Sequence, residues 1–275
     1  METVYATAAS ELMIESIYFL LERGILLIHN GAAATVQGLA LGILSNRQLE
    51  RITQGRYHKE AVSDASCASE AYLNSGLSIW EREAISSYFP RSGYVLVAAA
   101  GAGREMLALL KEGFRVDGFD CCAPLVEMGR NELKRRGIDA KLEHALPSGV
   151  PENLGAYDAV LVGFSGYMYI PGKQRRINFL RKLRELLKPD SPVMVSFTEG
   201  AHTRRRKWTA RIGTAIRRLR GAEPVEEGDT LKNGFQHHFV LEQIASEFDE
   251  AGLDLDYYSG GTSYGHAVGI VRKDN

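Results

Sequence analysis

Cysteine is scarce, with three in 275 residues and two of them adjacent at Cys121 and Cys122, which excludes a disulfide framework and leaves no C-x-x-C pair for a metal. A reducing compartment follows. Met1-Glu2-Thr3 lacks the basic n-region of a secretion signal, so a cytoplasmic protein is expected. Neither sign of charge is in surplus, the formal net charge being -1, so nucleic acid or an anionic membrane would have to be reached through a local patch. Long uncharged runs are also missing, with one exception: Gly24 to Asn46 carries no Asp, Glu, Lys or Arg. His29, Asn30 and Gln37 inside it are costly in hydrocarbon, and Asn30-Gly31 reads as a helix end followed by a restart. Two helices of a soluble bundle are expected there, and no membrane span.

What is present centres on Tyr94 to Asp120, Y-V-L-V-A-A-A-G-A-G-R-E-M-L-A-L-L-K-E-G-F-R-V-D-G-F-D. An apolar run from Tyr94 to Ala100 breaks at Gly101 and Gly103 into an amphipathic segment that stops at Gly113, and a second run closes on Asp120. This is a strand, a glycine turn, a helix and a strand. Apolar residues along both strands suit parallel strands covered on both faces, so a ligand site belongs at their carboxyl ends. The glycines let a ligand approach the backbone, the first turn of the helix has free N–H donors, and Asp120 is placed to accept both hydroxyls of a ribose. Arg104-Glu105 stands where a dinucleotide fingerprint has its third glycine, which favours a nucleoside over a pyrophosphate.

At these residues the chain resembles the class I S-adenosylmethionine-dependent methyltransferases, over roughly Tyr94 to Phe197 and again near the C-terminus. V-L-V-A-A-A-G-A-G-R-E looks like the family's first motif and V-D-G-F-D-C-C-A-P-L-V-E-M like its second strand. Val97 replaces the usual acid and Ala99 the usual first glycine. The resemblance implies an α/β fold: a doubly wound, mostly parallel seven-stranded sheet with an antiparallel C-terminal hairpin and an added N-terminal helical region. It also implies an S-adenosyl-L-methionine site. Ala99, Ala100, Gly101 and Gly103 would form its loop, with the two glycines bordering the methionine part, and Asp120 with Cys121 would hold the ribose. The family's adenine acid is absent, which leaves His144, Ala145 and Leu146 for that role. Gly163, Phe164 and Ser165 would pass beside the sulfonium, where aromatic faces suit a cation.

Residues 1–90 read as a helical cap or lid before the methyltransferase domain, 91–275. Met13, Ile14, Ile17, Leu20 and Leu21 recur at helical spacing, a second helix spans Val36 to Leu44, and Asn46 is the expected cap of a third. Tyr57 to Gly76 reads as a loop-like hinge. A basic helical insertion at about 200–232 holds Arg204, Arg205, Arg206, Lys207, Arg211, Arg217, Arg218 and Arg220 with an apolar stripe between them. Such a face binds an acidic or phosphorylated substrate, anionic lipid or RNA, or is solvated and paired with Glu223, Glu226, Glu227 and Asp229.

The implied reaction is in-line methyl transfer to a small-molecule acceptor, acidic or phosphorylated where the basic segment takes part. Substrate contacts are Tyr57, Tyr72, Tyr169 and Arg204, and the candidate bases are Glu199, His202, His237 and His238. No metal is expected, because the adjacent side chains of His237 and His238 diverge and no third ligand is evident. The chain has no N-P-P-Y or D-P-P-Y, the family's amino-methylating signature, so DNA is not the expected acceptor. Two alternatives stay open: a non-catalytic nucleoside-binding or regulatory protein of the same fold, and a nicotinamide-dependent oxidoreductase. The sequence does not set the oligomeric state.

Overall fold

The computed structural model describes residues 31–63, 66–232, 234–261 and 264–273. The stripe at Met13 to Leu21 lies outside them. The chain divides into two compact units, one of Met1–Ile43 with His202–Glu227 and one of Leu44–Ala201 with Gly228–Asn275.

The main sheet of the larger unit has seven strands: β1 (Tyr94–Ala98), β2 (Arg115–Asp120), β3 (Leu142–His144), β4 (Ala159–Val162), β5 (Pro192–Phe197), β8 (Leu253–Ser259) and β9 (Gly265–Val271). They lie in the order β3-β2-β1-β4-β5-β9-β8. The first five run parallel, while β9 pairs antiparallel with both β5 and β8. The expected fold class is therefore the observed one. β1 is apolar throughout because successive side chains point to opposite faces and both faces are covered. Val95 and Val97 join Ala159 and Leu161 in one core with α4 (Ile79–Tyr88), α5 (Arg104–Lys111) and α6 (Ala123–Arg135). Leu96 and Ala98 join Val160 and Val162 in the other, with α7 (Lys173–Glu185) and α9 (Leu241–Ala251). The chain runs outward from β1 through β2 to β3, then returns to the other side of β1 as β4. That reversal opens a crevice at the carboxyl ends of β1 and β4.

Two local expectations need correction. Tyr57 does not open a hinge, because α2 (Asn46–Ser63) continues past it, and beyond that helix come a short 3-10 turn at Ser66–Ala68 and α3 (Glu70–Leu73). Nor does Asn46 cap α2: Ser45 and Gln48 bond reciprocally, the Ser45 N–H to Gln48 Oε1 at 2.8 Å and the Gln48 N–H to Ser45 Oγ at 3.3 Å. Phe235 to His237 form β7 (Phe235–His237), which pairs with β6 (Asp229–Leu231) in a separate two-stranded sheet.

The smaller unit pairs α1, a helix over residues 31–43, with α8 (Arg204–Leu219). Gly31 lies within α1, while Asn30 is outside the described residues. Gly38 and Gly42 face α8 so closely that added Cβ atoms would sit 2.8 Å from the Cβ of Ile212 and of Ile216. The Arg217 guanidinium donates from Nε to the Leu41 carbonyl at 3.0 Å, so part of the basic run serves this packing. Among the described residues no helix is long and apolar enough to cross a membrane.

Candidate functional site

A cavity of about 360 Å³ opens at the crevice between β1 and β4. Its floor is the turn after β1. Ala99 and Gly101 both adopt positive φ, each 54°, and Gly103 follows at 97° as the residue before α5. Glycine holds such angles without a Cβ conflict, whereas Ala99 holds one against it. Space for the Ala99 methyl comes from Gly166, where a Cβ would lie 2.5 Å from it.

Asp120 ends β2 and faces that turn. Its Oδ2 accepts the Gly101 N–H at 2.9 Å and its Oδ1 the Cys122 N–H at 2.7 Å. Burial pushes this carboxyl above its usual value, and the N–H donors pull it back. Each carboxylate oxygen keeps lone-pair capacity beyond the backbone bond. Cys121 lines the wall beside it, and burial pushes its thiol up to about 12. The third side of the cavity is the loop after β3. Ala145, Leu146, Pro147 and Ser148 line it, and Leu146 is 76% exposed.

α2 lies over the opening. Gln54 Nε2 donates to the Cys121 carbonyl at 2.9 Å, Glu50 Oε2 pairs with Arg175 Nη2 of α7 at 2.6 Å, and the Ser148 hydroxyl donates to Glu50 Oε1. Tyr57 of the same helix meets Tyr169 edge to face, with ring centroids 5.3 Å apart, and both line the cavity. Burial raises the Tyr57 phenol, which stays protonated at neutral pH. Tyr72, Phe164 and Glu105 also line the cavity.

Of the residues expected to hold the cofactor, Ala99, Ala100, Gly101, Asp120, Cys121, Ala145, Leu146 and Phe164 line the cavity. Four stand back from it. Gly103 donates its N–H to the Ala100 carbonyl at 2.8 Å, and Gly163 donates to the Ala98 carbonyl at 2.7 Å. Ser165 is buried with its N–H on Ser196 Oγ at 2.8 Å, and His144 is an exposed ring beside the Cys121 carbonyl at 3.3 Å. The Ala145 N–H is committed to the Asp120 carbonyl at 2.9 Å.

Of the acceptor contacts, Tyr57, Tyr72 and Tyr169 line the cavity, and Arg204 belongs to α8 in the other unit. No histidine lines the cavity among the described residues. His237 is fully buried with Nδ1 on Asp229 Oδ1 at 2.7 Å, and the His238 N–H donates to the Gly228 carbonyl at 2.9 Å. Glu199 accepts from the Tyr258 hydroxyl at 3.3 Å. His202, in the smaller unit, pairs with Glu227 at 3.0 Å.

Glu50, Gln54, Glu105 and Ser148 were not anticipated. Three of them arrive from sequence-distant elements. For Glu105 a signal existed: it and Arg104 are charges at the head of a helix whose next residues, Met106 to Leu109, are all buried.

Residues 95–190 match the family model for a methyltransferase domain. No curated protein matches the sequence. Among solved structures the chain is similar to an S-adenosylmethionine-dependent methyltransferase of Methanosarcina mazei, at TM-score 0.56 and 15% identity over 72% of this chain and 100% of that one. It is similar also to the 1,6-didemethyltoxoflavin N1-methyltransferase of Burkholderia thailandensis, solved with 1,6-didemethyltoxoflavin and S-adenosylhomocysteine, at TM-score 0.60 and 14% identity over 84% and 92%. A third is an amino pentose methyltransferase of Micromonospora echinaspora, involved in calicheamicin biosynthesis and bound to S-adenosylmethionine, at TM-score 0.51 and 16% identity over 73% and 94%. Residues 95–190 thus match a methyltransferase domain, and the chain has the fold of these class I, Rossmann-like methyltransferases.

Proposed function

We propose that the protein transfers a methyl group from S-adenosylmethionine to a small-molecule acceptor. The observation that carries this reading is Asp120, a carboxylate at the end of β2 that lines the cavity beside the Ala99–Gly101 turn and accepts the Gly101 N–H. The residues fit the cofactor. The cavity volume is within the range of about 300–1,000 Å³ typical of small-ligand sites. Asp120 offers lone pairs to two ribose hydroxyls, Leu125 and Leu146 offer apolar faces to a base, and Gly101 leaves the floor without a side chain.

When bound, S-adenosylmethionine supplies an electrophilic methyl on a positively charged sulfur. This chain's part is alignment and exclusion of water. Tyr57 and Tyr169, from α2 and from the turn after β4, line the cavity, and an aromatic face beside a cationic centre favours it by roughly 0.5–2 kcal/mol. The three carboxylates on the wall, Glu50, Glu105 and Asp120, are each already bonded to a donor, and Tyr57 is held protonated. Proton abstraction by a side chain is therefore not the main contribution, and the pH dependence of kcat/KM should follow the acceptor's own ionisation. Coverage of the cavity by α2 supports a small acceptor over a duplex nucleic acid.

Thermal-shift titration tests the reading against its rivals. S-adenosylhomocysteine should raise the melting temperature and NAD should not. Stabilisation by NAD alone would replace the methyltransferase with an oxidoreductase. Binding of S-adenosylhomocysteine with no methylated product across a broad acceptor panel would support a regulatory protein instead.

A further inference from the structure

Two buried carboxylates share one guanidinium beside the cavity. Arg104 Nη2 reaches Glu81 Oε1 at 2.8 Å and Glu105 Oε1 at 2.6 Å, and its Nη1 donates to the Gly76 carbonyl at 2.6 Å. The three side chains are nearly excluded from solvent, at 7%, 1% and 4% exposure for Arg104, Glu81 and Glu105. Glu81 is well served, because its Oε2 also takes the Ser78 N–H at 2.6 Å and the Ser78 hydroxyl at 2.7 Å. Glu105 is not. Both hydrogen bonds it accepts from other residues fall on Oε1, the second being a long one from the Phe164 N–H at 3.4 Å. The cluster thus sums to one uncompensated negative charge, and of the three only Glu105 lines the cavity.

An uncompensated buried carboxylate is costly, and a cation that can also donate hydrogen bonds relieves it best. The geometry points to Glu105 as the residue that receives the α-ammonium group of the cofactor's methionine part. A sulfonium has no N–H or O–H to give, so the ammonium is the better match of the cofactor's two cationic centres. The placement agrees with the rest of the wall: Asp120 lies across the Ala99–Gly101 turn at the ribose end, while Glu105 stands on the first turn of α5 beside Phe164. It also accounts for Val97. That side chain is fully buried between Gly118 and Leu161, so β1 offers no acid at the position where the family resemblance leads one to expect it. Glu105 supplies a carboxylate from the helix instead.

This inference rests on the cofactor reading above, and its test separates the two. Dissociation constants are measured by calorimetry for S-adenosylhomocysteine, for its des-amino form, and for methylthioadenosine, which keeps the nucleoside and lacks the amino acid. A charged hydrogen bond of about 1.5–3 kcal/mol converts to a loss of about 10- to 150-fold when either partner is removed. Glu105→Gln should therefore weaken S-adenosylhomocysteine by that factor and leave methylthioadenosine within about twofold, which also shows that the variant is folded. In the unaltered protein the des-amino form should bind more weakly by the same factor, a result that stands even if the variant does not fold. Equal affinity of the unaltered protein for the two homocysteine compounds, or equal loss of both ligands in a folded Glu105→Gln, would overturn the assignment. Failure of the unaltered protein to bind any of the three would instead remove the cofactor reading itself.

Discussion

Ala99 and Gly166 form a matched pair of side chain and space. Ala99 holds a left-handed angle of 54°, which costs an L-residue roughly 1–2 kcal/mol, and its methyl sits where Gly166 has no Cβ. Ala99→Gly is expected to raise stability by up to about 1 kcal/mol, part of the relief being offset by the freer unfolded chain. Gly166→Ala should cost about 1–3 kcal/mol through overpacking, and the double variant should recover most of that loss. Urea denaturation of the four proteins checks both statements, and additive effects would contradict the contact. Cys121 offers a pH test at the same scale. With its thiol pushed up to about 12, its thiolate is scarce at neutral pH, so its alkylation should be slow at pH 7 and quicken about tenfold per pH unit until the pH nears 12. A rate that levels off near pH 8.5 would contradict the burial of that thiol. Residues of this kind were legible in the chain only where a motif carried them. Gly101 and Asp120 stood at strand ends in the right order, whereas Glu50 and Ser148 meet across almost a hundred residues and share no local pattern.

Buried ionic ties hold several elements in place. Arg176 of α7 donates to Glu247 of α9 through Nε at 3.0 Å and Nη2 at 2.5 Å, and the Tyr167 hydroxyl reaches the same carboxylate at 2.5 Å. The three are fully buried, so removing one charge strands the other. Glu247→Leu should cost about 3–5 kcal/mol, read as a fall in the denaturation midpoint. Because Tyr167 lies on the short turn that also carries Tyr169, the same substitution should weaken ligand binding at the cavity. Within the smaller unit, Gly38→Val has no room against Ile212, and an overpacking loss of about 1–3 kcal/mol is expected there. Elements with two covered faces or a clear amphipathic period were readable from the sequence, and β1, Tyr94–Ala98, lies within the apolar run from Tyr94 to Ala100. α2 was cut short at Tyr57 because its polar run looks like a loop. The polar residues before that point, Glu50 and Gln54, make the contacts to Cys121, Arg175 and Ser148. β6 and β7, at three residues each, are too short to show a period.

Over the whole molecule, the parallel sheet places its crevice where the strand order reverses, and the cavity occupies that crevice. The mostly parallel seven-stranded sheet was expected through the family resemblance, which rests on one βαβ unit with an acid at its second strand end. Which elements would cover the crevice was not, since cover is set by tertiary contacts of α2 and α3. The proposed methyl transfer depends on the nucleoside end of that cavity, and titration calorimetry with S-adenosylhomocysteine addresses it directly. The unaltered protein should bind one equivalent, and Asp120→Ala should bind at least about 100-fold more weakly, the loss of two hydrogen bonds to a charged acceptor at about 1.5 kcal/mol or more each. Equal affinity of the two proteins would place the nucleoside elsewhere and contradict the role given to Asp120.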